Sequence, residues 1–372
     1  MGFKCGIVGL PNVGKSTIFN ALTSAGAPSE NYPFCTIDPN VGVVEVPDSR
    51  LQTLDKFIHA KRIVPASMEF VDIAGLVKGA AQGEGLGNQF LGHIRQTDAI
   101  AHVVRCFDSS DITHVEGSVD PIRDIGIIET ELVLADVSTV ENALNRHQKA
   151  AKSGRKDLPA IIKMLSGLND HLQGDRPART FPVDEYVGDE LTVFEAYREL
   201  HLITAKKVLY VCNVDEDLAA GNEDNQFTKK VKEFATKEGA GVTIICGKIE
   251  EELSQLDDED KLEMISDLGM TEPGLNRLIQ AGYALLNLQT YFTAGEKEIR
   301  AWTILQGDKA PAAAGKIHSD FERGFICAEV YSIPDLEKIG TRSKLKENGL
   351  LRQEGRDYTV VDGDVIEFRF NV

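Results

Sequence analysis

Six short apolar runs punctuate the first three quarters of the chain: Cys5 to Val8, Val41 to Val46, Met68 to Val71, Ala99 to Phe107, Lys207 to Cys212 and Val242 to Cys246. Each is followed by Gly, Pro, Asp or Asn, and runs of this kind predict buried strands. Helical spacing lies between them: Ile18-Phe19-Asn20-Ala21-Leu22 opens one helix, and a later one spans about Pro273 to Leu288. Alternation of strand and helix predicts an α/β unit built on a largely parallel sheet.

The alternation is interrupted once. Between Phe107 and Lys207 lies far more chain than a crossover needs. Val133, Val137, Val140 and Leu144 form one helical stripe there, and Leu158, Ile161, Leu165, Leu168 and Leu172 form a second. The basic, Gly-containing stretch Lys149 to Lys156 separates them, so a coiled-coil-like helical hairpin is expected; separately, Val119-Asp120-Pro121 is expected to begin a helix. Beyond Tyr291 the pattern turns strand-rich, with Ile299 to Leu305, Gly324 to Val330, Tyr358 to Val361 and Val365 to Phe370. Asp362-Gly363-Asp364 is expected to turn the last two into a hairpin. The expected division is residues 1–130 with 205–288 as the nucleotide-binding unit, 131–204 as a helical insertion, and 289–372 as a small α+β domain.

Composition narrows the class. The 372 residues are 42% hydrophobic and 26% charged, which is ordinary for a globular chain. No apolar run approaches a membrane span, and the start enters the first strand directly, so a cytoplasmic protein without membrane contact is expected. The six cysteines are scattered, with no C-x-x-C pair to suggest zinc. A net charge of −18 argues against a surface that binds nucleic acid everywhere. The balance is uneven, however. Residues 146–179 are basic, and Lys338, Arg342, Lys344, Lys346 and Arg352 cluster near the end. An RNA-facing side is compatible with that asymmetry.

Chemistry enters with Gly9-Leu10-Pro11-Asn12-Val13-Gly14-Lys15-Ser16-Thr17. A G-x-x-x-x-G-K-[ST] pattern between a strand and a helix is a phosphate-binding loop. Its glycines let successive N–H groups face one anion, and the helix N-terminus adds donors. Lys15 is the group that reaches the β- and γ-phosphates, and the Ser16 hydroxyl is the Mg²⁺ ligand. Thr36, in a loop before the second strand, is placed as the first-switch residue that meets Mg²⁺ and the γ-phosphate. Asp72-Ile73-Ala74-Gly75 supplies a second switch, in which Asp72 holds Mg²⁺ and the Gly75 N–H faces the γ-phosphate. Leu76 then stands where a water-orienting Gln is found in Ras-like enzymes, so hydrolysis has to borrow a group from elsewhere. His114 lies in a polar loop on the side where strand ends meet nucleotide. His102, inside an apolar run, reads as a core residue.

The base is addressed by Asn213-Val214-Asp215-Glu216, at the place where GTPases carry N-K-x-D. There the Asp accepts two hydrogen bonds from guanine and the Lys stem covers the ring. Here Val214 replaces the Lys and Glu216 the Asp, so strict guanine selectivity is not expected. An ionised Glu cannot donate to adenine N1, which leaves adenine to backbone groups and Asn213. Gly247-Lys248 follows the last strand of the unit, where a base-contacting loop is expected.

The run D-I-A-G-L-V-K-G-A-A-Q-G-E-G resembles the Obg-related GTPase signature, with Ala74 and Lys78 departing from it. Together with G-L-P-N-V-G-K-S-T, N-Y-P-F-C-T-I-D-P-N and the N-V-D-E variant, the chain resembles the Obg-like ATPase family over essentially its whole length. That resemblance implies a P-loop NTPase (a Ras-like G domain) with an inserted helical hairpin and a C-terminal TGS domain of β-grasp type. It implies Mg²⁺-dependent hydrolysis of ATP in preference to GTP, and association with the ribosome, its large subunit and rRNA. It gives the catalytic role to His114, beside Lys15 and Gly75. It also makes Asn12 the ligand of an activating K⁺, and Asn12 to Thr17 with Asn213, Val214, Glu216, Gly247 and Lys248 the nucleotide contacts. A monomer is expected. A guanine-specific GTPase in ribosome assembly and a non-hydrolysing interaction module are the alternatives.

Overall fold

The structure is a computed structural model that describes residues 3–24, 40–73, 86–109, 114–151, 157–187 and 191–371. Its first half follows the strand–helix alternation. In order come β1 (Lys4–Val8), α1 (Lys15–Ser24), β2 (Val41–Glu45), α2 (Arg50–Ile58), β3 (Ile63–Val64), β4 (Ser67–Asp72), α3 (Leu86–Arg95) and β5 (Ala99–Arg105). The helical region holds α4 (Pro121–Ala150), α5 (Leu158–Gln173), α6 (Asp184–Val187) and α7 (Leu191–Arg198). The alternation then resumes through β6 (Lys207–Asn213), α8 (Gln226–Glu238), β7 (Gly241–Ile245), α9 (Gly247–Leu253), α10 (Asp258–Asp267) and α11 (Gly274–Leu285).

These strands form one sheet in the order β2-β4-β1-β5-β6-β7. Only the β2–β4 pairing is antiparallel. All seven residues of β5 are buried, as expected for a central parallel strand covered by helices on both faces. The ends of β1, β5 and β6 therefore open on one edge, where the phosphate-binding loop and the base loops gather.

α4 begins where the sequence places it. Asp120 caps it by accepting from the N–H groups of Ile122 and Arg123, and Pro121 occupies the first turn. This single helix runs through to Ala150 and packs on α5 around Val140, Leu165 and Leu168. Two polar clusters brace the helical region, and the second ties it to the sheet unit. Asp136, fully buried, accepts from the N–H groups of Ile203 and Thr204 and from the Thr204 hydroxyl. Arg179 sits between Glu129 and Glu238, and Glu238 also accepts from the Tyr210 hydroxyl.

The chain closes with β8 (Leu288–Ala294), β9 (Ile299–Leu305), α12 (Ala310–Ile317), α13 (Ser319–Arg323), β10 (Phe325–Ser332), α14 (Ile333–Ile339), α15 (Arg342–Glu347), β11 (Arg352–Glu354) and β12 (Asp364–Phe370). The second sheet runs β11-β10-β12-β8-β9-β3. Its middle four strands, with β8 and β12 parallel, have the β-grasp arrangement. Two sequence expectations change here. Helical spacing in the sequence continues to Leu288, but the chain leaves α11 at Leu285 and enters β8. Tyr358 to Val361 is not a strand and forms no hairpin with β12; it makes one bridge, Lys309 to Thr359. The cause is local: the Asp364 carboxylate accepts from Val361 N–H and Tyr358 Oη, which folds the segment into a turn.

The sixth strand of this sheet, β3, comes from the connector between β2 and β4. It pairs in parallel with Ile299 and Arg300. Beside it Arg50 chelates Asp48 through Nε and Nη2 (2.8 and 2.7 Å), donates to Asp362 (2.6 Å) and lies over the Phe292 ring.

Candidate functional site

The turn from β1 into α1 is shaped by two positions where only glycine fits. Gly14 has φ +92°, and a Cβ there would lie 2.1 Å from Asn213 Nδ2. At Gly9 a Cβ would lie 2.7 Å from the carbonyl oxygen of Val103. Asn12 takes φ +63°, a region this residue type tolerates. Val13 is buried and pins the loop to the core, while Ser16 is exposed and Thr17 half-buried at the first turn of α1. Lys15 is 8% exposed, and its ammonium is paired with the Asp72 carboxylate at the end of β4. The structure thus brings Lys15, Ser16 and Asp72 to one edge of the sheet. Thr36, Gly75 and Leu76 lie outside the described residues.

These residues suit a magnesium–triphosphate. Mg²⁺ prefers one or two oxygen ligands from protein beside phosphate and water, and a hydroxyl with one carboxylate is that donor set. The Lys15–Asp72 pair holds the two charges such a ligand divides, the ammonium for phosphate and the carboxylate for metal. Among the described residues no group of three His, Cys, Asp or Glu side chains forms a cage of protein ligands alone.

Asn213 organises the other end. Its Nδ2 donates to the Val13 carbonyl (2.9 Å), and its Oδ1 accepts from Gly247 N–H (2.9 Å). One buried amide therefore ties the phosphate loop, the end of β6 and the start of α9 together. The Asn213 amide is engaged at both ends inside the protein, not turned outward. Val214 is 3% exposed and its N–H donates to Ile245, so its side chain packs in the core and does not cover a base. Glu216 and Lys248, one from each loop, form an ion pair at the surface. Glu216 raises the Lys248 pKa and keeps it an ammonium. Burial first, then Asp217 and Asp108, raises the Asp215 pKa.

His114 is buried after β5. Its Nδ1 accepts from Glu116 N–H (3.1 Å) and its Nε2 donates to Asp124 Oδ2 (2.7 Å), which fixes the Nε2–H tautomer. Asp124, on α4, is held in turn by Arg123. This Asp124 support was not read from the sequence; an acid four residues into a capped helix carries no signal of its own.

Comparison with known proteins agrees with this geometry. A family described as "50S ribosome-binding GTPase" matches residues 4–151, and a YchF-GTPase C-terminal family, described as a protein of unknown function (DUF933), matches residues 288–371. The chain is 54% identical to the "Ribosome-binding ATPase YchF" of Haemophilus influenzae and to that of Bacillus subtilis, each over all of both chains. It is also similar to the solved structure of the Schizosaccharomyces pombe YchF GTPase, with a TM-score of 0.85 at 38% identity over 99% of this chain and 98% of that one. A phosphate loop tied by Asn213 to a departing base motif, an inserted helical pair and a β-grasp sheet, matched end to end by these relatives, place the chain in the YchF family of P-loop NTPases.

Proposed function

We propose that this protein is a magnesium-dependent ATPase that acts as a nucleotide-controlled switch on the ribosome. The observation that carries the choice of base is the base end of the site. Val214 is buried where a guanine-specific enzyme lays a lysine stem over the ring, and Glu216 is paired with Lys248. The relatives' names support both ATP and the ribosome, although one solved relative is titled a GTPase.

Mg²⁺, held by Ser16, Thr36 and Asp72, would neutralise charge on the β- and γ-phosphates. K⁺ on Asn12 would add to that. Lys15 would bind the phosphates, and Gly75, placed by its motif in the sequence, would donate its N–H to the γ-phosphate. Leu76 has no polar atom, so His114 is the group that meets the attacking water, and its ring must first leave Asp124. Residues 1–130 with 205–288 bind nucleotide, while the helical part, 131–204, and the C-terminal part, 289–372, offer surfaces to ribosomal RNA and protein.

Titration of ATP and GTP into the purified chain tests the base. ATP should bind at least as tightly as GTP, and GTP binding ten times tighter, about 1.4 kcal/mol, would sink the reading. Substituting His114→Ala should slow turnover by about a hundredfold with affinity nearly intact, within the usual range for removing an acid–base group. Unchanged turnover would remove His114 from the chemistry.

A further inference from the structure

Both ring nitrogens of His114 are already engaged. Nε2 donates to Asp124 Oδ2 (2.7 Å), and Nδ1 accepts from Glu116 N–H (3.1 Å). A neutral imidazole has one donor and one acceptor, so neither is left for a water molecule. The His114 and Asp124 side chains are 4% and 3% exposed, and solvent does not reach the pair.

The carboxylate is fixed more firmly than the ring. Asp124 stands in the first turn of α4, where Asp120 caps the helix and the nearby Ile125 and Ile128 are fully buried in the core of the sheet unit. Its Oδ1 accepts from Arg123 Nε and Nη2 (3.2 and 2.9 Å). The same guanidinium donates to the Ser118 carbonyl (2.6 Å) and hydroxyl (3.1 Å), which fastens the segment after His114 to the helix start. The ring is therefore the part that has to move, and leaving Asp124 costs it a charge-assisted hydrogen bond.

An aspartate beside a working histidine usually helps it, by orienting the ring and stabilising its charge. Such a helper holds one nitrogen and leaves the other facing the reaction. Here the other is capped by Glu116 N–H. We propose that Asp124 is a positioning residue of the opposite sign, a latch that holds His114 in a silent orientation and so limits basal turnover. The proposal rests on the reading of His114 given above. Turnover then scales with the fraction of molecules whose ring is free, whereas nucleotide affinity does not, because the latch lies outside the phosphate and base loops.

The test is single-turnover ATP hydrolysis by the full chain, by His114→Ala, Asp124→Asn and Asp124→Ala, and by the double variant His114→Ala/Asp124→Ala, with ATP affinity titrated alongside. Asp124→Ala should raise the rate about tenfold, the scale of a hydrogen bond to a charged group. Asp124→Asn, a neutral acceptor of the same size, should raise it about threefold. ATP affinity should stay within about twofold of wild type in both. The double variant should turn over no faster than His114→Ala alone. Slower hydrolysis by the Asp124 variants would make Asp124 a helper, and an unchanged rate would leave it no part in turnover; either result overturns the latch. So does a rise that persists in the double variant, which would show general loosening of the fold. Should melting curves show that Asp124→Ala does not fold, the sign of the Asp124→Asn change decides. Wild-type turnover in His114→Ala would instead overturn the reading of His114 itself.

Discussion

The two ends of the nucleotide site are built from different material. At the phosphate end, shape is set by backbone: Gly9 and Gly14 stand where a Cβ would strike Val103 O or Asn213 Nδ2, and the helix terminus supplies the donors. At the base end, the exposed charged pair comes from side chains of two separate loops, Glu216 and Lys248. A backbone cradle accepts any triphosphate and tolerates almost no substitution. A side-chain pair can change its preference while the fold stays as it is.

The largest effect should follow from breaking the cradle. Gly14→Ala combines the close approach to Asn213 with φ +92°, and strain of that kind costs about 1–3 kcal/mol. Calorimetric titration should show ATP and GTP weakened together by about a hundredfold, near the upper end of that range. A variant that loses one nucleotide and keeps the other would break the comparison. Asn213→Ala comes next, because it leaves the Val13 carbonyl and the Gly247 N–H without their partner. Denaturant melts should show a loss of about 2 kcal/mol, and both nucleotides should weaken about tenfold at a constant ratio. A smaller effect is expected at the base end. Glu216→Gln should change the ATP-to-GTP affinity ratio about threefold without moving the melting temperature, as befits an exposed pair worth under about 1 kcal/mol.

A further substitution, His102→Phe, shows its effect through pH. Both ends rest on the same sheet, in which His102 of β5 is buried against Tyr210. Burial first, then the Arg179 charge, lowers its pKa to about 3. The unfolded chain therefore takes up this proton first, near the ordinary pKa of about 6.5. Its contribution to stability is complete above that value and is lost as the pH falls toward 3. Relative to His102→Phe, the wild-type chain should lose about 1.4 kcal/mol per pH unit between pH 6 and pH 4. Parallel melting curves for the two chains would show His102 to be exposed or charged in the fold.

The same contrast explains what was legible in the sequence. The phosphate loop, Asp72 and the central strands are local patterns, and the structure places them together. Departure from the guanine motif could also be read, because it is a substitution at a known spacing. The partner of Glu216 could not. It lies 32 residues away, and its meaning depends on Asn213 closing two loops. The second sheet was harder for the same reason. β8 follows α11 with only two residues between them, so its apolar positions looked like more helix. Tyr358 to Val361 has strand composition, but Asp364 captures its N–H and hydroxyl groups. Arg50 and Asp362 meet across 312 residues.

β3 has a consequence for how the chain is made. It emerges from synthesis long before β9, so the edge it completes does not exist until most of the protein has been translated. Until then the connector carrying α2 and β3 has only its own sheet to hold it, and afterwards it fastens the beginning of the chain to the end. A fragment starting at Leu288 would present β9 as a bare edge, open to pairing with any passing strand. The C-terminal unit is therefore better regarded as finished by the N-terminal one than as a module that can be cut away.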